Sequence, residues 1–278
     1  MNASGYMRGW LMLVAMIVGM PSMALGETCL SCHRERDGAL TASWEKSRHA
    51  AAGIDCSACH GMEHDGRMAG RARRNEACTT GCHQRESGSH ALSKHGVIAT
   101  LEGERMDFSL PLKEGNQRAP TCGYCHMHDN EHDAGTGILS LLPIRGAHGQ
   151  ENDPRAEARA APCRDCHSPR FVETWFASGE QMLEIGRMKL REAEAVVSRH
   201  DGLPDAAGIL QRMQEVHLRN VRLGVGHASP DDQWWHGHPA LDGDLLRIKS
   251  LAGERMLQQS PADNGQPPRR PGDGQATK

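Results

Sequence analysis

Cys122-Gly-Tyr-Cys125-His126 is the stretch that decides how this chain folds. Two cysteines three residues apart, with a histidine directly after the second, are how a polypeptide takes a haem onto two thioether bonds and ligates its iron. Thiols about one helical turn apart reach the two vinyl-derived carbons on one porphyrin edge, and the following imidazole then meets the iron from the same side. The pattern recurs outward along the chain at Cys56-Ser-Ala-Cys59-His60, Cys29-Leu-Ser-Cys32-His33 and Cys163-Arg-Asp-Cys166-His167. Cys78-Thr-Thr-Gly-Cys82-His83 is a version expanded by one residue, whose loop must bulge to keep the same thiol separation. These five motifs use all ten cysteines.

Disulfides, zinc sites and redox-active dithiols also use paired cysteines. None of them requires a histidine after each second cysteine. With 17 histidines in 278 residues, five such placements would arise by chance about once in a million. The sequence therefore predicts five covalently bound haem c groups, attached at the ten cysteines, with His33, His60, His83, His126 and His167 as proximal iron ligands.

Five six-coordinate irons need five distal ligands. Twelve histidines lie outside the motifs: His49, His64, His90, His95, His128, His132, His148, His200, His217, His227, His236 and His238. His49 in Ser-Arg-His-Ala, His95 in Ser-Lys-His-Gly and His227 in Gly-Val-Gly-His-Ala have small neighbours that let a porphyrin approach, so they lead the candidates. His90, His132, His148 and His217 follow, while His200, His236 and His238 carry less weight. Methionine ligation is the less economical reading when histidine is this abundant, so bis-histidine haems are expected.

Composition agrees. Only 4% of residues are aromatic and 38% hydrophobic, which is thin material for an apolar core in a chain of this length. Large flat cofactors would fill the interior. The motifs lie between residues 29 and 167, about 28 residues for each, which forces the haems close enough for electrons to hop along a stack. The expected fold is mainly α, a multihaem cytochrome c arrangement with sparse regular structure. Short helices end at each motif around the stacked array, and Val97 to Ala119 form a loop or short hairpin. Beyond the last motif the apolar spacing predicts helices over 172–200, 206–222 and 240–257. Residues 27–170 are read as the pentahaem-binding region, 171–259 as a C-terminal helical region and 260–278, rich in Pro, Gly and polar residues, as a disordered tail.

Residues 1–26 read as a signal peptide, because one charge, Arg8, precedes an apolar run from Leu11 to Leu25 that is shorter than a membrane span. A periplasmic or otherwise extracytoplasmic location follows. The formal charge of -3 gives no reason to expect nucleic acid. The cluster Arg67, Arg71, Arg73 and Arg74 is read as a solvated face, with binding of haem propionates or an acidic redox partner as the alternative.

Several segments resemble the multihaem family that contains hydroxylamine oxidoreductase and the pentahaem cytochrome c nitrite reductases. They are Trp44-Glu-Lys-Ser-Arg-His49 leading to Gly53-Ile-Asp-Cys56, Pro120-Thr-Cys122 through Met127 with Asn130-Glu-His132-Asp133, the last motif with Phe171 beyond it, and Gly226-His227 before Trp234-Trp235. The resemblance implies a mainly α fold, a tight haem array and association through the C-terminal helices. It also implies redox partner proteins or a quinol-linked electron chain, compatible with peripheral membrane contact. Two departures stand out: five motifs where hydroxylamine oxidoreductase has eight, and no C-x-x-C-K site of the kind many nitrite reductases use for their catalytic haem. The tyrosine that cross-links the catalytic porphyrin of hydroxylamine oxidoreductase has no counterpart either, since Tyr6 lies in the leader and Tyr124 inside a motif. The expected role is electron transfer. The alternative is an oxidoreductase of hydroxylamine, nitrite or a related small nitrogen compound, with one open iron and the reductive direction favoured.

Overall fold

Side-chain caps start three of the short helices in the motif half. The first helix, α1 (Gly26–Arg36), carries the first motif. Asp37 starts α2 (Gly38–Glu45) by accepting from the Leu40 amide. Ser47 does the same for α3 (Arg48–Ala51) from the Ala50 amide, and Asp55 for α4 (Cys56–His60) from the Ser57 amide. These are the residue types that satisfy orphan amides at helix starts. Then follow α5 (Met68–Arg73), α6 (Glu76–Thr79), α7 (Gln84–Ala91), α8 (Lys94–Glu102), α9 (Cys122–His126) and α10 (Pro154–Arg164). Both α4 and α9 end on a motif histidine.

The computed structural model describes residues 26–111, 114, 118–135 and 154–259. Residues 1–25 of the expected leader, His148 and the tail 260–278 lie outside them. Among the described residues the chain is helical without a strand. The expected loop or hairpin over 97–119 is corrected at its start, where α8 runs to Glu102 and continues as a 3-10 turn over Gly103–Arg105; the described residues from 106 to 119 are irregular, as a loop would be. Ala99 on that helix packs with Met106, Phe108 and Ala119 in a small buried cluster, which supplies the apolar face a helix needs.

Two compact units form. The first holds the chain up to Ser87 together with Ile98–Pro169; the second holds Gly88–Val97 and the chain from Arg170. The main break falls one residue from the expected 170/171 boundary, but the segment bearing His90 and His95 joins the helical unit. In the first unit α4 packs on α1, α5 and α6, and α9 meets α5 and α10.

The second unit is a three-helix bundle. Its members are α11 (Pro169–Arg199), a continuous rod made of α12 (Ala206–Arg212), a π turn (Met213–His217) and α13 (Leu218–His227), and α15 (His238–Gln259); the short α14 (Pro230–Trp234) caps the corner. Buried positions on α11, namely Val172, Gly179, Leu183, Gly186, Leu190 and Ala193, step by seven, four and three, the heptad spacing of a bundle seam. On α15, His238, Leu241, Leu245, Ile248 and Ala252 do the same. Val225 lies against Gly179 and Leu218 against Gly186, so α13 runs antiparallel to α11. Lys189 pairs with Asp242 and Glu192 with Lys249, so α15 runs parallel to it. No helix among the described residues is long and apolar enough to cross a membrane.

Candidate metal centre

The attachment thiols stand in chain order in space. Burial and then the nearby Cys29 thiol raise the Cys56 thiol, linking the first motif to the second. Burial raises Cys59, with Cys78 and Cys82 as the next causes. Cys78 and Cys122 share a thiol hydrogen bond, which raises the one and lowers the other and joins the third motif to the fourth. Cys125 is pushed up to about 12 by burial, then by Cys163 and Cys166 of the fifth motif. None of the ten cysteines is in a disulfide, so all ten are open to thioether attachment. The extra residue of the third motif is accommodated at Gly81, whose φ of +85° only glycine adopts without cost, while the His83 amide still reaches the Cys78 carbonyl at 3.1 Å.

Three motif histidines face a second imidazole. His33 faces His64 with ring centroids 6.2 Å apart, His60 faces His132 at 6.2 Å, and His83 faces His49 at 6.0 Å. Two imidazole nitrogens each bonded to one first-row metal ion at about 2.0–2.1 Å stand ~4 Å apart, which with the ring radii puts the centroids roughly 6 Å apart. The separations therefore fit an iron held between each pair. Among the described residues no cluster of three or more His, Cys, Asp or Glu side chains could hold a metal ion, so these imidazoles stand as opposed pairs.

The outer contacts orient the rings. His132 Nδ1 donates to the Asn130 carbonyl at 2.7 Å, leaving Nε2 with its lone pair for a metal, and His126 Nδ1 lies 3.3 Å from the Ala134 carbonyl. The His132 and Asp133 amides both donate to Ser43 Oγ, which ties that loop to α2. Burial, followed by His132, lowers the pKa of His60 below the usual histidine value, which favours the neutral, ligating form. A cavity of about 570 Å³ opens beside Cys125 and His126, lined also by Leu40, Ser43, His128 and Ala161. Tyr124, within the fourth motif, donates its hydroxyl to Asp165, which His128 Nε2 also meets at 2.9 Å.

The arginine cluster is only in part the solvated face expected of it: Arg67 and Arg74 are exposed, while Arg71 and Arg73 fold inward. Arg71 donates to the His60 and Glu63 carbonyls, Arg73 to those of Phe108 and Ser109, and the Arg74 guanidinium lies 4.3 Å from the Phe108 ring centroid. Carbonyls at the end of α4 lack helical partners, and a long cation folded inward supplies the donors.

Other candidates fare differently. His95 repeats the setting of His49: each is the second residue of a helix begun by a buried serine, Ser93 or Ser47, that accepts from an amide three residues on. His90 and His227 face each other, with ring centroids 6.3 Å apart. His217 is committed to packing, its Nε2 lying 3.2 Å from Asp244, which Arg212 grips at 2.8 and 2.7 Å. His200 follows α11, His236 follows α14 and His238 is buried at the start of α15. His64 was one of twelve in the sequence, and nothing in Met-Glu-His-Asp singled it out; only the fold brings it to His33.

The family described as seven times multi-haem cytochrome CxxCH matches residues 13–207. A probable nitrite reductase-hydroxylamine oxidoreductase fusion protein of Kuenenia stuttgartiensis is 26% identical over 71% of this chain, which spans 35% of that protein. The chain therefore covers about a third of this curated relative. Among solved structures, a chain of the reducing HAO-like protein complex of Kuenenia stuttgartiensis superposes with a TM-score of 0.52 at 21% identity, covering 84% of this chain and 72% of that one. At that identity the likeness concerns the fold.

Proposed function

The chain belongs to the multihaem CxxCH cytochrome family, and from that premise we propose that it is an exported pentahaem cytochrome that passes electrons between redox partners. The observation that carries the reading is the opposed imidazole at three motif histidines, His33, His60 and His83, because an iron held on both sides has no vacant position for substrate. Bound haem supplies a reversible one-electron couple at each such site. The protein's own part is to hold the attachment thiols in sequence, to orient His132 through the Asn130 carbonyl, and to favour the neutral His60 ring by burial.

His49, His64 and His132 are assigned as distal ligands of the third, first and second haems. Export is supported by the apolar run from Leu11 to Leu25, and it would put the chain outside the cytoplasm. Assembly with a partner is favoured by the solved relative, which is part of a complex.

Two measurements test this. Intact mass after denaturation should correspond to five haems per chain, and the ferric protein should be low-spin throughout. A high-spin signal of one haem per chain would instead support a second reading, reduction of a small nitrogen compound. What favours that alternative is the cavity beside His126, where Asp37, His128 and Asp129 bring proton-bearing groups together.

A further inference from the structure

His90 and His227 face one another with ring centroids 6.3 Å apart, close to the 6.0–6.2 Å of the three pairs that include a motif histidine. Neither follows a cysteine pair. Both belong to the helical unit, outside the unit that carries the ten thiols.

The segment before His90 has the outline of an attachment motif without its chemistry. Glu86-Ser-Gly-Ser89-His90 has the five-residue span of C-x-x-C-H, with Glu86 and Ser89 where the thiols would stand. It lies on α7 with His90 in the last turn, as His60 and His126 lie at the ends of α4 and α9. Ser89 is 3% exposed, and its Oγ is buried with no hydrogen-bond partner among the described residues. A hydroxyl in the second thiol position makes no thioether bond to a vinyl group.

The two imidazoles are held by rigid local structure. The His90 carbonyl accepts from Ser93 Oγ at 2.6 Å, and a Cβ at Gly96 would lie 2.0 Å from that carbonyl oxygen, so only glycine permits the approach of α8. His227 ends α13, which Ala228 closes in the left-handed conformation; Gln233 Nε2 donates to the Gly224 carbonyl at 2.8 Å and ties that end to α14.

We propose that His90 and His227 are the two axial ligands of a sixth haem, held by ligation and packing alone as a non-covalent iron protoporphyrin. The proposal rests on the reading that opposed imidazoles bracket iron in this chain. Its failure is separable from failure of that reading, because covalent and non-covalent haem are counted in different fractions.

Acid-acetone extraction of the purified holoprotein leaves thioether-bound haem on the polypeptide and releases any other. The expected result is one extractable haem per chain, identified as protoporphyrin IX iron by chromatography, beside five that stay bound. His90→Ala and His227→Ala should each lose the extractable haem and keep the five. If either variant misfolds, His90→Gly supplemented with imidazole should regain it. No extractable haem, even after incubation of the holoprotein with hemin, would overturn the proposal. So would extractable haem that survives both substitutions, or a stoichiometric zinc or copper ion at the pair without haem. A covalent count below five would count against the pentahaem reading and leave this one standing.

Discussion

His60 and His132 lie 72 positions apart in the chain, yet their rings face each other at 6.2 Å with planes only 11° from parallel. The Asn130 carbonyl and Ser43 hydroxyl hold His132 there. Substituting His132 by Ala should open one iron while leaving the attachment cysteines untouched. The expected outcome is one carbon monoxide-binding haem per chain with the covalent haem count unchanged. His64→Ala and His49→Ala should do the same at the first and third sites. An unaltered carbon monoxide spectrum would remove the residue concerned from the ligand set.

His217→Ala should behave oppositely. Its Nε2 meets Asp244, so the haem spectrum should stay as it is while the helical unit loses a contact. Asp244→Ala removes the partner of both His217 and Arg212 and should cost about 1–3 kcal/mol, since charge-assisted hydrogen bonds are lost at a half-buried site. Leu241→Ala, at a fully buried seam position, should cost about 2–5 kcal/mol. Chemical denaturation followed by helical circular dichroism measures both, and values near zero would argue against the bundle as drawn.

The pH dependence of that unit should carry the mark of His238. Burial, and then the Lys189 ammonium, lower its pKa from the ordinary value, so the folded state favours the neutral ring. A folded pKa below the unfolded one means that stability is fully present above about pH 6.5 and declines as the pH falls toward the folded value. Comparing His238→Gln with the unsubstituted chain between pH 8 and 5 isolates the effect. The variant should show the shallower loss, and equal slopes would exclude His238 as the source.

Hydroxylamine oxidation through a tyrosine-modified porphyrin should be absent. The Tyr124 hydroxyl is committed to Asp165, and burial and that bond push its pKa up, away from the phenolate. No tyrosine follows it in the chain. Steady-state turnover of hydroxylamine with an artificial acceptor should be negligible, and the ferrous spectrum should lack a red-shifted haem band. Brisk turnover together with such a band would contradict the assignment. Reduction of nitrite or hydroxylamine without the band would favour the reductase reading.

Local chemistry was legible in the sequence, and tertiary pairing was not. The motifs announce themselves because attachment and proximal ligation occupy five consecutive residues. That residues 172–200 form a helix was equally readable, but its buried face was not: Ile185 and Met188, apolar at helical spacing, are exposed, while Gly179 and Gly186 stand in the seam with Leu183 and Leu190. Distal pairing depends on folding: His64 looks like any surface histidine until α1 and α4 pack, and His217 looks like a ligand until Asp244 arrives from α15. The arginines misled for the same reason. A basic run reads as solvated, and only the unpaired carbonyls after His60 and at Phe108 turn Arg71 and Arg73 inward.

The single file of thiol neighbours has a consequence for how damage would spread. Because Cys29 adjoins Cys56, Cys59 adjoins Cys78, Cys78 adjoins Cys122 and Cys125 adjoins Cys163, haems held at the five sites would conduct as resistors in series. Losing an end site shortens the wire by one. Losing the third, at the bulged Gly81 loop, would break it into two stubs of equal length that can each be charged but no longer exchange current, so the least regular motif is the one whose failure divides the file in half.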